Sequence, residues 1–233
     1  MTLSFCTLAI HEPYRRRAIR LCRDAPELRW VVLTDEPDDF ATLGIDARKH
    51  LPTGPMAVDY LTSMAPTGEG RGAAAYHDKR FAIQAALENS DTAIYVDADS
   101  RIVDLRVPDF FPPGLCVLPV VRKSVAEHLE TCGPWRLPYF KDLATQLSGG
   151  PEILGTAKWC HEALIVVTRD GRESKFFDSW SIAAELVQSR GLFSGEGGVI
   201  GLAAACAGWS VDYDALLPIS QSIRHEGGGP KAI

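Results

Sequence analysis

The first 34 residues contain a strand, a helix and a second strand in that order, and this order constrains the fold more than any other feature. Residues 3–10 are apolar and rich in strand formers, residues 14–21 have an amphipathic helical pattern, and residues 29–34 form a second apolar run that ends at a turn. Such a succession implies a right-handed parallel crossover. We therefore predict an α/β fold that binds its ligands outside the carboxyl ends of the strands.

Size and composition favour a single domain spanning residues 1–233. A chain of 233 residues suits one α/β domain, and 46% hydrophobic residues suffice for a substantial core. The formal net charge of −6 argues against broad nucleic-acid binding. No segment approaches the roughly 20 apolar residues of a membrane span, and no signal peptide is visible. Six scattered cysteines without paired spacing indicate reduced, mostly buried thiols and a cytoplasmic location.

The rest of the chain continues the alternation of helices and strands. The patterns predict helices at residues 77–87, 174–189 and 197–207. They predict further strands at residues 93–96, 115–121, 161–168 and 209–213. Two segments rich in glycine are predicted to be loops, the second without regular structure, at residues 52–73 and 225–231. Residues 122–158 show no clear pattern.

Two aspartates, Asp97 and Asp99, directly follow the predicted strand at residues 93–96. A hard divalent cation prefers oxygen ligands, and two carboxylates separated only by Ala98 concentrate them at the ligand-binding edge of the sheet. A pyrophosphate would supply further oxygens, so the cation would bridge protein and nucleotide and assist the departure of a diphosphate. A pair of solvated acids in a turn is the alternative interpretation.

A second motif, His225-x-x-Gly228-x-x-Lys231, lies near the C-terminus. A neutral imidazole can complete the coordination of a cation such as manganese. Glycine lets the backbone approach a phosphate closely, and a lysine supplies a point charge for it. The alternative interpretation is a flexible tail, because three consecutive glycines precede the end of the chain.

The strand leading into Asp97-x-Asp99, taken with the spacing of His225, Gly228 and Lys231, resembles retaining glycosyltransferases of the GT-A type, especially the glycogenin-like family 8. The resemblance implies a Rossmann-like, mixed and mainly parallel sheet flanked by helices. It also implies that Asp97, Asp99 and His225 hold Mn²⁺ or Mg²⁺. Lys231 would then contact the diphosphate of a nucleotide-sugar, for which a UDP-sugar is favoured.

Residues 32–37, 159–163 and 194–196 are similar to the blood-group-transferase-like family 6. That resemblance implies a catalytic role for Glu196, either below the anomeric carbon or at the acceptor hydroxyl. A carboxylate near a helix N-terminus is also favoured by the helix dipole, so a structural role stays open. His161 is a candidate acceptor contact, with a structural histidine as the alternative.

Residues in the second half of the first strand and just after it are the candidates for donor binding. Thr7, Ala9 and Tyr14 lie where this type of fold seats the nucleoside, and Asp35 would accept a hydrogen bond from a uracil or ribose or else serve the turn. In the predicted helix before the aspartates, basic side chains would reach the diphosphate or form a solvated face; these are Lys79 and Arg80. Residues 68–72 would close over the donor or form an exposed loop.

These features favour an enzyme that transfers a sugar from a nucleotide diphosphate to an unknown acceptor, which would be a small molecule, a glycan or a protein. A sugar-1-phosphate nucleotidyltransferase is an alternative, although residues 10–14 lack the glycine-rich phosphate loop of that class. A non-catalytic sugar- or protein-binding module is another. A zinc site made by Cys132, Cys160 and His161 is a weaker hypothesis, because the cysteines lack paired spacing.

Overall fold

A computed structural model describes residues 2–54, 58–59, 71–72, 74–190 and 196–226. Its strands are β1 (Leu3–Ala9), β2 (Trp30–Thr34), β3 (Asp46–Lys49), β4 (Val58–Asp59), β5 (Arg71–Gly72), β6 (Thr92–Val96), β7 (Ser100–Ile102), β8 (Gly114–Val117), β9 (Leu164–Thr168), β10 (Val211–Asp212) and β11 (Ile223–His225). Its α-helices are α1 (Glu12–Asp24), α2 (Lys79–Leu87), α3 (Val125–Cys132), α4 (Leu137–Ser148), α5 (Glu173–Ser189), α6 (Glu196–Ala207) and α7 (Leu217–Ser220).

Seven of the strands form one mixed sheet in the spatial order β10-β8-β9-β6-β1-β2-β3. β1 pairs in parallel with both β2 and β6, and β2 pairs in parallel with β3. β9 runs antiparallel to both of its neighbours, β6 and β8, whereas β8 and β10 are parallel. The predicted α/β class with a mainly parallel sheet is therefore confirmed.

The centre of the sheet is buried on both faces, because alternate residues of its central strands pack against different helices. Every residue of β6 and β9 is buried. On one face Tyr95 and Val167 share an apolar cluster with Trp180 of α5, and on the other face Ile94 packs in a cluster with Leu21 of α1. None of the helices in the described ranges is both long and apolar enough to cross a membrane.

The strand predicted at residues 161–168 is too long at its start. In the structure β9 begins at Leu164, because its partner β6 ends at Val96, the residue that pairs with Leu164. His161 and Glu162 therefore precede the strand and do not alternate across the sheet.

In two further segments the structure differs from the sequence predictions, and in a third it supplies helices that no pattern predicted. The strand predicted at residues 115–121 ends at Val117, because β9 offers only one residue beyond that pair. Residues 122–158 contain α3 and α4. Within the predicted loop at residues 52–73, β4 and β5 form a short antiparallel ladder, and much of the remainder lies outside the described residues.

The C-terminal segment predicted to lack regular structure, residues 225–231, begins with the last residue of a strand. β11 pairs antiparallel with β7, so that His225 lies opposite Ser100. The pairing joins segments far apart in sequence, so local composition does not reveal it. Residues 227–231 lie outside the described part of the chain.

Gly201 lies where α6 packs against the chain that leads to β9. A Cβ added there would lie 1.8 Å from the carbonyl oxygen of Lys158. Because the obstacle is backbone, we expect Gly201→Ala to lower the free energy of unfolding by about 1–3 kcal/mol in urea denaturation. Gly155→Ala is the control, since a Cβ at Gly155 meets nothing within 4 Å. Equal stability of the two variants would contradict this close packing.

Candidate metal centre

The turn that ends β6 holds two aspartates at the carboxyl edge of the sheet. The backbone N–H of Asp97 donates to the carbonyl oxygen of Ala163 at 3.0 Å, one residue before β9. The N–H of Ser100 then donates to the carbonyl oxygen of Asp97 at 3.0 Å, and β7 begins there. Since β1 and β6 are parallel, Asp97 and Asp99 lie on the edge where β1 also ends.

β11 brings His225 to these aspartates from the other end of the chain. The N–H of Glu226 donates to the carbonyl oxygen of Asp99 at 2.8 Å, and the Nδ1 atom of His225 lies 3.1 Å from Oδ1 of Asp99. One ligating atom from each of Asp97, Asp99 and His225 lies within 4.8 Å of the other two. The structure therefore brings together the three residues that the sequence singled out. We call them the carboxylate–histidine trio.

Neighbouring charges adjust the ionisation of Asp99 and His225. The Oδ2 atom of Asp99 lies 3.6 Å from Nη1 of Arg17 in α1. Burial opposes ionisation of Asp99, but the hydrogen bond from His225 and the charges of His225 and Arg17 hold the pKa of Asp99 below its ordinary value. The same hydrogen bond raises the pKa of His225. The Nδ1 atom of His225 donates this hydrogen bond. It must lose both its proton and its contact with Asp99 before it can bind a cation.

The trio is the one group of three or more His, Cys, Asp or Glu side chains that the described residues place at metal-ligand proximity. The weaker zinc hypothesis is therefore wrong for this structure. Cys132 is exposed at the end of α3, whereas Cys160 is buried, and neither is grouped with His161.

A buried lysine, Lys79, lies directly beside the trio. Its Nζ atom is 3.0 Å from Oδ1 of Asp97, 3.1 Å from Oε2 of Glu196 and 3.4 Å from the carbonyl oxygen of Glu162. The hydroxyl of Tyr95 donates to the same oxygen of Asp97 at 3.0 Å. Burial disfavours the ammonium, but the charges of Asp97 and Glu196 hold the pKa of Lys79 well above its ordinary value. Lys79 is therefore a charged bridge between the trio and Glu196.

Glu196 is the first residue of α6, and its side chain is almost fully buried. Burial raises the pKa of Glu196 to about 7; the charges of Glu162 and Asp97 add to the rise and Lys79 opposes it. The pKa of Glu196 stays high because the effect of burial outweighs the opposing charge of Lys79. The Oε1 atom of Glu162 accepts a hydrogen bond from the N–H of Gly197 at 2.9 Å. Glu162 therefore caps α6, while Glu196 contacts Lys79.

The residues predicted to seat a nucleoside are near this edge but differ in accessibility. Thr7 and Ala9 of β1 are fully buried. The Oγ1 atom of Thr7 has no hydrogen-bond partner among the described residues. Tyr14, in the first turn of α1, is half-buried. Of these three, Tyr14 is therefore the one that remains partly accessible to a ligand.

Asp35 is engaged by protein groups at the end of β2. Its carboxylate accepts from the backbone N–H of His11 at 3.1 Å and from Nη1 of Arg15 at 2.8 Å. His11 itself has φ 71° and ψ 150°, a conformation that is costly for any residue except glycine. The hydrogen bond to Asp35 is one contact that holds His11 in this conformation. No pattern in the sequence indicates this strain.

The two basic residues at the start of α2 point to different places. The Nε atom of Arg80 donates to Oγ of Ser181 in α5 at 3.0 Å, and its Nη1 donates to the carbonyl oxygen of His77 at 2.7 Å. Within the described ranges Arg80 makes no ion pair with Asp97 or Glu196. Lys79 therefore belongs to the site, and Arg80 to the contact between α2 and α5.

The other predicted site residues lie in varied environments. Ala98 is buried in the core between the two aspartates. His161 is partly buried, burial lowers its pKa, and its Nδ1 accepts a hydrogen bond from the N–H of Ala163 at 3.4 Å. Lys231 lies outside the described residues.

His77 is a buried histidine with a structural contact on the other side of α2. Its Nδ1 accepts a hydrogen bond from Nε1 of Trp180 at 3.2 Å. Burial, assisted by the charges of Arg80 and Lys79, lowers the pKa of His77 to about 3. The folded protein therefore holds this imidazole neutral at pH values where the unfolded chain binds a proton.

We expect this difference to make the protein less stable as the pH falls below 6.5, the ordinary pKa of the imidazole. The unfolded state then binds one more proton than the folded state, so the free energy of unfolding drops by up to about 1.4 kcal/mol per pH unit. In His77→Gln this part of the slope should be absent between pH 6.5 and about 5. Urea unfolding across this range provides the measurement, and parallel profiles for native and variant proteins would contradict the assignment.

Comparison with models of known protein families and with curated proteins finds no match to this chain. The class of this protein is therefore defined by its fold and its site alone. It is an α/β protein with a mainly parallel sheet, and a carboxylate–histidine trio lies at the carboxyl edge of that sheet.

Proposed function

We propose that this protein is a metal-dependent glycosyltransferase of the GT-A type. It would transfer a sugar from a nucleotide diphosphate, with a UDP-sugar favoured, to a hydroxyl acceptor. The observation that carries this proposal is the convergence of Asp97, Asp99 and His225 at the carboxyl edge of β6. That edge is where α/β sheets bind their ligands.

The donor atoms of the trio fit a divalent cation of the hard-to-borderline class. Two carboxylates and one imidazole suit Mn²⁺, and Mg²⁺ would take the carboxylates together with phosphate oxygens. The absence of a thiolate among the three side chains argues against a soft-metal site. When bound, the cation would neutralise the negative charge that develops on the departing diphosphate.

The remaining side chains of the site have roles that follow from their contacts. The hydroxyl of Tyr95 orients the carboxylate of Asp97, and Arg17 offsets the charge of Asp99. Glu196 would then act near the anomeric carbon or at the acceptor hydroxyl. Attack on the same face of the sugar and a double displacement through Glu196 are both compatible with this arrangement. His161 is the candidate for an acceptor contact.

The order and direction of the strands also support the proposed GT-A type. Parallel β1, β2 and β6 are linked through helices, and the aspartates follow β6 directly. Tyr14 at the start of α1 would contact the nucleoside, and Lys231 would contact the diphosphate, as the family resemblance implies. Asp35, which is partly buried at the end of β2, would accept a hydrogen bond from the base or the ribose.

Thermal-shift titration with UDP-, GDP- and TDP-sugars, each with and without Mn²⁺, tests the proposal. We expect one nucleotide class to raise the melting temperature, and Mn²⁺ to strengthen that shift. Slow hydrolysis of the same donor in the presence of Mn²⁺ should accompany it. Pyrophosphate release from a nucleoside triphosphate would favour a nucleotidyltransferase instead, and the absence of any donor binding would favour a non-catalytic module.

A further inference from the structure

Lys79 occupies a position that links two parts of the site. Its side chain is only 7% exposed, and its ammonium lies at almost equal distances from Asp97, at 3.0 Å, and Glu196, at 3.1 Å. Within the described residues no other cation forms an ion pair with either carboxylate. Removing charges from water is costly, so this ammonium and its partners depend strongly on one another.

The Oδ1 atom of Asp97 already contacts two donor groups. It accepts from the hydroxyl of Tyr95 at 3.0 Å and from the ammonium of Lys79 at 3.0 Å. A divalent cation that binds Asp97 would share one carboxylate with Lys79, and the two positive charges would repel each other at short range. The divalent cation and the ammonium of Lys79 therefore each weaken the binding of the other to Asp97. Glu196 is the second carboxylate within reach of the displaced ammonium.

We propose that Lys79 is a positioning residue that couples cation binding at Asp97 to the placement of Glu196. With Asp97 free of a divalent cation, the ammonium is shared between Asp97 and Glu196. Cation binding shifts the ammonium toward Glu196 and fixes that carboxylate beside the reaction site. The role of Glu196 in transfer rests on the proposed function, whereas the competition at Asp97 does not.

The test compares Lys79→Met and Lys79→Arg with the native protein. Lys79→Met keeps an unbranched side chain of similar length and removes the competing charge, so we expect Mn²⁺ to bind at least about tenfold more tightly in isothermal titration without donor. Turnover should fall by about 100-fold or more, with the donor KM changed by less than about threefold. Lys79→Arg keeps the charge and should restore Mn²⁺ affinity to within about twofold of native.

Arg80→Met is the matched control, because Arg80 is the adjacent buried cation of α2 but contacts Ser181 rather than the site. Its Mn²⁺ affinity should stay within about twofold of native. Circular dichroism and melting temperature establish that each variant is folded, and Lys79→Arg covers the case in which Lys79→Met does not fold.

The outcomes separate this inference from the proposed function. Unchanged or weaker Mn²⁺ binding in folded Lys79→Met, or equal tightening in Arg80→Met, overturns the coupling even if the native protein transfers sugar. If Lys79→Arg folds and Lys79→Met does not, the coupling is overturned when the Mn²⁺ affinity of Lys79→Arg differs from native by clearly more than about twofold. Tighter Mn²⁺ binding in Lys79→Met, in a protein that transfers no sugar from any donor, supports the competition while the proposed function fails. A native protein that binds no Mn²⁺ overturns both.

Discussion

Asp97→Asn should weaken Mn²⁺ binding by about 100-fold or more and abolish metal-dependent donor binding. Loss of a group that merely supports a metal ligand costs about 10- to 100-fold in affinity, so loss of a charged ligand should cost at least the upper end of that range. Isothermal titration with Mn²⁺, followed by thermal shift with donor, provides the measurement. Asp97 also pairs with Lys79, so the melting temperature of the variant must be recorded separately.

Asp109→Asn is the control, because Asp109 is an exposed aspartate outside the trio. It should bind Mn²⁺ within about twofold of the native protein. Asp99→Asn offers a second test of the same site should Asp97→Asn be unstable. Native Mn²⁺ affinity in both of the trio variants would mean that the cation, if bound at all, binds elsewhere.

Glu196→Gln should abolish sugar transfer while nucleotide affinity stays nearly intact. The amide keeps the shape of the side chain but cannot act as a base or nucleophile, so we expect turnover to fall by about 10²- to 10⁴-fold. Donor and product titrations should show a dissociation constant within about twofold of native. This combination separates a catalytic group from one that only binds the donor.

Glu173→Gln is the matched control for this variant, because Glu173 is also the first residue of a helix, α5, and is remote in sequence from the trio. Its turnover should equal that of the native protein. Full turnover in Glu196→Gln would remove Glu196 from the mechanism and leave only a structural role at the start of α6.

The local parts of the fold were predictable because they depend on short-range periodicity. The apolar runs at β1, β2 and β6 are bounded by turn residues, and the acid pair follows β6 directly. One available signal was missed at α3, where the side chains of Ser124 and Glu127 cap the helix reciprocally. The spacing S-x-x-E is visible in the sequence, and it marks the start of a helix within residues 122–158.

The features that were not predictable depend on contacts between distant segments. β11 becomes a strand only because β7 offers it an antiparallel partner. The sequence also could not separate the roles of Lys79 and Arg80. Consecutive residues on a helix point about 100° apart, so one of the two reaches the site and the other reaches α5. Only the packing of α2 decides which.

The location of a bound cation tests the central claim most directly. Crystals grown with Mn²⁺ and UDP, and measured for the anomalous signal of manganese, would give its position. We expect one anomalous peak in direct contact with Asp97, Asp99 and His225, with the diphosphate as a further ligand. A peak elsewhere, or ordered UDP with no metal at these three side chains, would contradict the assignment.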